Sequence, residues 1–280
     1  RVRRQRQMCI RDRVYPARSK FIEPITGPTF DAFIDFVKNQ RDITDEQSIS
    51  IIKNNALEII KRCLGEESKE IKIEDNLGQT VLHVGEVQSG KTLTMCSVIA
   101  LAYDNNFLIS TILTGTKNIL KAQNQDRIKE VLNAIDPDNK KFSYYSFDPH
   151  TPNPTEDTQL KNQIKSLVKK KKFIKQNKMI VLCMLKHEKY INDIARLFNE
   201  QDLMVCNYPI KSIILDDEAD QASLNTRAKK NTAPRSATNL SILNLKKAHT
   251  QLCTYIQVTA TAQSILLQEK DDPLSPDFCW

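Results

Sequence analysis

Residues 84–95 read VGEVQSGKTLTM, and the fold turns on this stretch. The chain has six glycines in 280 residues, yet Gly85 and Gly90 stand five positions apart here, followed at once by Lys91 and Thr92. The spelling Gly85-x-x-x-x-Gly90-Lys91-Thr92 fits a phosphate-binding P-loop. Such a loop turns its backbone N–H groups inward around a polyphosphate, and glycine permits the dihedrals and the close approach that this requires. The expected cradle is Gly85, Gln88, Ser89, Gly90, Lys91 and Thr92. Lys91 is expected to reach the β- and γ-phosphates, and Thr92 to place its hydroxyl on Mg²⁺. A helix starting near Lys91 adds the positive end of its dipole.

The flanking sequence supplies the setting. Thr80–Val84 reads as a short buried strand and Thr92–Tyr103 as an apolar helix, so the loop joins a strand to a helix. Further on, strands are expected over 107–113, 143–147, 179–185, 211–216 and 254–259. Helices are expected over 117–134, 158–176, 187–199 and 239–250. That alternation predicts an α/β fold, a mainly parallel sheet sandwiched by helices. Upstream, residues 28–64 read as two helices. Pro28-Thr29 opens the first, Thr44-Asp45-Glu46-Gln47 has capping-box character before the second, and Gly65 ends it. The expected organisation is a helical N-terminal segment over 14–79 and a nucleotide-binding domain over 80–280. The run Lys169–Lys172 has the charge to touch DNA phosphate, but it reads better as a solvated helix end, where lysines suit the dipole.

A P-loop binds phosphate, whereas hydrolysis needs a second, acidic element to hold Mg²⁺ and orient water. Residues 211–220 read KSIILDDEAD, an apolar strand ending in clustered carboxylates whose mutual repulsion a divalent cation would relieve. This stretch resembles the Walker B element of DEAD-type helicases. By that resemblance Asp217 rather than Asp216 binds Mg²⁺ through water, Glu218 polarises the attacking water, and Asp220 contacts a coupling motif. TGTKNILKAQ (114–123) is similar to helicase motif Ia, in which Thr114 and Gln123 would touch a nucleic-acid backbone. VTATAQS (258–264) is similar to motif III, in which Thr259, Thr261 and Gln263 would link nucleotide state to DNA contacts. The collinear order of the four motifs resembles the first RecA-like domain of a superfamily 2 helicase. GEVQSGKT, LKHEKYI (185–191), IILDDEADQAS and QVTATAQS together resemble the Z1 domain family over about residues 20–270. That family is described as an endonuclease domain with a helicase-like ATPase, and it travels with bacterial restriction-modification and phage-defence systems. The resemblance implies ATP and Mg²⁺ as cofactors, DNA as partner, and co-encoded defence or restriction subunits. An ATP-gated assembly switch indifferent to DNA is the competing reading, and a metal-dependent endonuclease a third. A restriction-type nuclease site wants Pro-Asp followed downstream by Glu-x-Lys. Here Pro137-Asp138 follows the triplets Glu67-Ser68-Lys69 and Glu70-Ile71-Lys72 instead of preceding them.

Bulk properties bound the rest. Residues 1–13 hold six arginines against one aspartate, so they carry five of the seven net positive charges. This segment resembles adapter read-through and is expected to be a non-native extension, which leaves the overall basicity uninformative. The chain stops soon after the motif III-like stretch. A piece of a longer reading frame is therefore expected, without a second RecA-like domain and its arginine finger, and with slow hydrolysis of bound ATP–Mg²⁺. No apolar run approaches the ~18 residues of a membrane span. Seven cysteines occur without a C-x-x-C pair, which points to reduced thiols in a cytoplasmic protein. Phe30 and Phe33 are expected in the core rather than on a base, and His83 and His187 in packing or capping roles.

Overall fold

The computed structural model describes residues 21–41, 43–65, 79–85, 90–115, 118–147, 154–170, 177–203, 210–224, 235–250, 252–266 and 272–279. Two helices come first. Helix α1 (Pro28–Gln40) carries proline in its first turn, where the missing N–H is no loss. Its N-terminus is capped from a distance: the Asp104 carboxylate accepts from Phe30 N at 2.8 Å and Thr29 N at 3.3 Å. Helix α2 (Glu46–Leu64) is capped locally by Asp45, which accepts from Ser48 N at 2.7 Å. It ends at Gly65, whose φ of 78° suits glycine.

Strands and helices then alternate: β1 (Thr80–Val84), α3 (Lys91–Asp104), β2 (Phe107–Thr114), α4 (Asn118–Ile135), β3 (Phe142–Phe147), α5 (Pro154–Lys169), β4 (Met179–Leu185), α6 (Glu188–Glu200), β5 (Lys211–Asp217), α7 (Ala237–Ala248), β6 (Leu252–Thr259), the single turn α8 (Gln263–Leu266) and β7 (Phe278–Cys279). The sheet order is β3-β4-β2-β5-β6-β1-β7, and every pairing is parallel. Strands β2 and β4 are buried along their whole length, so β4 reads as a continuous apolar run without alternation, and in β2 even Ser110, Thr111 and Thr114 are buried.

Both faces are covered. Val181, Cys183, Ile213 and Leu215 point to one side, where they pack with Phe33, Ile60, Ile99 and Val131 from α1, α2, α3 and α4. Leu182, Met184 and Ile214 point to the other, against Ile164, Phe198 and Leu245 of α5, α6 and α7. The period-2 alternation of a strand divides one apolar run between two cores. Phe30 and Phe33 are core residues of the first face.

Several expected boundaries shift. Helix α5 starts at Pro154, four residues before its expected start, because proline suits the first helical turn and Glu156 and Asp157 complement the dipole there. It stops at Lys169, short of 176; Lys170 lies outside it, and 171–176 fall outside the described residues. Helix α7 ends at Ala248 rather than 250, since His249 turns extended. Strand β7 and helix α8 have no counterpart in the sequence reading, being too short to show a period. Cys63, Cys96, Cys183, Cys253 and Cys279 form no disulfide among the described residues. No helix among the described residues is long and apolar enough to cross a membrane.

Candidate nucleotide site

The glycine loop leaves the C-terminal end of β1, a position where parallel sheets bind ligands. Gly85 N donates to Thr259 O at 3.0 Å, tying the start of the loop to the end of β6. Gly90 precedes α3 in the left-handed region, with φ 75° and ψ 35°. Residues 86–89, including the expected contacts Gln88 and Ser89, lie outside the described residues. Lys91 and Thr92 open α3, whose next turns, Thr94 to Ala102, are buried against the sheet.

Strand β5 delivers the acids, and the structure separates the two neighbouring aspartates. Asp216 is fully buried: Lys186 Nζ lies 2.6 Å from its Oδ1, and the hydroxyls of Ser223 and Tyr255 donate to its Oδ2. Asp217 faces instead a cleft of about 560 Å³ that it shares with Gly90, Lys91, Thr92 and Glu218. Its Oδ2 accepts from Asn124 Nδ2 at 3.0 Å, and Asn124 Oδ1 accepts from the Thr92 hydroxyl at 3.4 Å. Burial pushes the Asp217 carboxyl above its ordinary value; Glu218 and Asp216 add to that push, while Lys91 and Lys186 oppose it. A divalent cation at Asp217 would reverse this balance.

The acidic turn is held from beneath. Lys186, fully buried just past β4, donates from Nζ to the carbonyls of Asp217, Glu218 and Gln221 at 2.7, 2.9 and 3.2 Å. Glu218 itself has φ 52°, a left-handed backbone that an ordinary side chain adopts only where its surroundings enforce it. Its carboxylate lies against the start of the 115–123 segment: a Cβ placed on Gly115 would stand 2.9 Å from Glu218 Oε2.

The structure brings Asp220 to the motif III-like stretch. Its carboxylate accepts from the Thr259 hydroxyl at 2.6 Å and from the Thr261 hydroxyl, while Thr261 N donates to Thr259 Oγ1 at 3.0 Å. Burial works to raise the Asp220 carboxyl, but the two hydroxyl hydrogen bonds win and hold it below its ordinary value. The remaining expected contacts divide. Gln123, Thr261 and Gln263 are exposed. Thr114 does not fit a surface role: it is fully buried at the end of central strand β2, and its hydroxyl donates to Met184 O at 3.0 Å. His187 caps α6 by accepting from Lys189 N, and His83 is buried in β1. Asp138 is exposed and pairs with Lys140, whereas the two Glu-x-Lys triplets lie outside the described residues.

Sequence reasoning did not single out Asn124, Arg127 or Lys186. A signal for the first two exists. The inward stripe of α4 runs through Ile128, Val131, Leu132 and Ile135, and continuing it back one turn reaches Asn124 and Arg127. Polar residues on the core-facing stripe at one helix end mark a site beside the core. No cluster of three His, Cys, Asp or Glu side chains suited to a metal occurs among the described residues. A P-loop site asks less of the protein, because phosphate and water supply most of the ligands of Mg²⁺; Thr92 and Asp217, bridged by Asn124, suit that limited part.

No family model matches the sequence, and no curated protein matches it. Among solved structures, the chain is similar to the DUF1998 helicase MrfA bound to DNA, with a TM-score of 0.51 and 14% identity over 97% of this chain and 33% of that one. A DEAD box protein from the hyperthermophile Methanococcus jannaschii is 16% identical over 84% of this chain and 53% of its own, with a TM-score of 0.43. The chain thus spans a third of the MrfA chain and about half of the DEAD box protein. The seven-stranded parallel sheet and the likeness to MrfA define a RecA-like α/β domain.

Proposed function

We propose that this domain binds and hydrolyses ATP as the motor part of a helicase-like protein acting on DNA. One arrangement carries the reading: Lys91, Thr92, Asp217 and Glu218 line a single cleft, while Asp220, two residues on, is bonded to Thr259 and Thr261. In this reading Lys91 binds the β- and γ-phosphates, Thr92 and Asp217 hold Mg²⁺, and Glu218 orients the attacking water. The metal, when bound, neutralises charge on the phosphates. The Asp220–Thr259–Thr261 bonds link the acidic turn to the end of β6, so a shift at the nucleotide is felt where the chain leaves the sheet. The motif spellings GEVQSGKT, IILDDEADQAS and QVTATAQS support a Z1-type assignment in a restriction or defence system, with DNA and co-encoded subunits as partners.

The test is steady-state ATP hydrolysis with and without duplex DNA, with Lys91→Ala as the blank. Turnover that rises on adding DNA and vanishes in Lys91→Ala supports a DNA motor. Turnover indifferent to DNA favours a switch controlled by a protein partner. Absence of nucleotide binding by the wild-type chain overturns the reading.

A further inference from the structure

Helix α4 supplies more to the cleft than Asn124. Arg127 lies one turn further along the same stripe, and its side chain lines the cleft beside Lys91, Thr92, Asp217 and Glu218. The other described arginines have partners: Arg41 holds Glu130 at 2.7 Å, Arg62 lies over Phe21, Arg196 pairs with Asp193, and Arg235 with Asp272. Arg127 has neither hydrogen bond nor ion pair among the described residues, and it is exposed. Its natural local partner would be Glu130, three residues on along the helix. That carboxylate is occupied by Arg41, which reaches across from the end of α1 and rests over Phe36. The Arg41–Glu130 pair therefore leaves Arg127 without a counter-ion at the mouth of a site built for a polyanion.

Charge balance in the cleft points the same way. Its lining carboxylates are Asp217 and Glu218, the first of which a divalent metal would offset. Of the three lining cations, Arg41 is paired with Glu130, so Lys91 and Arg127 remain to meet the phosphate chain, one from α3 and one from α4. A guanidinium offers a planar fork that binds two phosphate oxygens at once.

We propose that Arg127 contacts the terminal phosphate of a bound nucleoside triphosphate, an arginine supplied in cis from the same domain as the P-loop. This rests on the nucleotide reading above. In hydrolysis the water oxygen bonds to the γ-phosphorus, and the bond from that phosphorus to the β,γ-bridging oxygen breaks. The diphosphate leaves with that electron pair, and the water proton ends on the released phosphate. Arg127 exchanges no proton in this step. It binds the equatorial oxygens, where negative charge is spread in the transition state.

The test compares wild type, Arg127→Ala and Arg127→Lys for binding of ADP and of a non-hydrolysable ATP analogue with Mg²⁺ by calorimetry, together with kcat and KM. For Arg127→Ala the triphosphate analogue should bind about 10- to 100-fold more weakly, ADP within about twofold of wild type, and kcat should fall by about 10³. Lysine should restore part of both. The melting temperature should not move, since the side chain is exposed. Equal weakening of ADP and the analogue would place Arg127 elsewhere on the nucleotide and overturn the proposal, as would an alanine variant that behaves like wild type. If the wild-type chain binds neither ligand, the nucleotide reading falls and this proposal with it. If the wild type binds both, Lys91→Ala loses both and Arg127→Ala changes nothing, only the role of Arg127 falls.

Discussion

Asp216 and Asp217 share a residue type and adjacent positions, yet alternation along β5 sends them to different fates. One enters a buried network with Lys186, Ser223 and Tyr255, and the other enters the cleft with Lys91. Identity alone could not have said which of the two faces the cleft, because the deciding partners come from just past β4, from β6 and from the turn after β5. Glycine 115 works at the same scale. The space its missing Cβ leaves is the space that Glu218 Oε2 uses. Substitution Gly115→Ala is expected to keep the fold, since the flexible end of Glu218 can yield, while moving that carboxylate from the place the proposed water attack requires. A misplacement of about 1 Å can lower kcat by roughly 100-fold. Turnover should therefore drop with nucleotide affinity nearly unchanged, and wild-type turnover in this variant would show that Glu218 does not need its position.

Between elements, the joints are polar and buried. His249, where α7 ends, is fully buried, places Nε2 3.2 Å from the Thr111 hydroxyl on β2, and meets the Phe198 ring of α6 edge-on. Burial pushes its imidazole down to about 3. A base with a lowered folded value stabilises the fold fully above its ordinary value, near 6.5, and loses that contribution as pH falls toward about 3. The slope is at most about 1.4 kcal/mol per pH unit. Urea midpoints should fall between pH 6 and 4 in wild type and fall less steeply in His249→Gln; parallel curves would refute a buried neutral imidazole. Elements like these were legible wherever a period was long enough. The apolar runs of β2, β4 and β5 and the caps at Asp45 and Gly65 all announce themselves. What stayed hidden was reach. Asp104 caps α1 from 74 positions away at Phe30, and Lys186 braces a turn 31 positions on, at Asp217. No local pattern encodes either.

At the scale of the whole molecule, α1 and α2 behave as part of the core rather than as an appendage. Met95, Val98, Ile99 and Ala102 of α3 are at most 1% exposed, and they share one cluster with Phe33, Val37, Ala56 and Ile60. Uncovering side chains of this kind costs about 1.5–3 kcal/mol each for the larger ones, and a domain is stable by only about 5–15 kcal/mol in total. A chain beginning at Gln79 is therefore expected to lack a cooperative unfolding transition; a sharp melt near the wild-type temperature would show that the remainder stands alone. The strand order has a further consequence, for the making of the protein. Strand β1, which leads into the glycine loop, pairs on one side with β6, where Thr80 meets Tyr255, and on the other with β7, where Val81 meets Phe278. At translation rates of about 5–20 residues per second, the ribosome spends roughly 10–35 s between the two members of the first pair. Through that interval β1 has neither neighbour, and its backbone edges are exposed to other chains. Strand β1 is thus among the last parts of the domain to find its neighbours, and nascent chains are most exposed to mispairing at the strand that leads into the glycine loop.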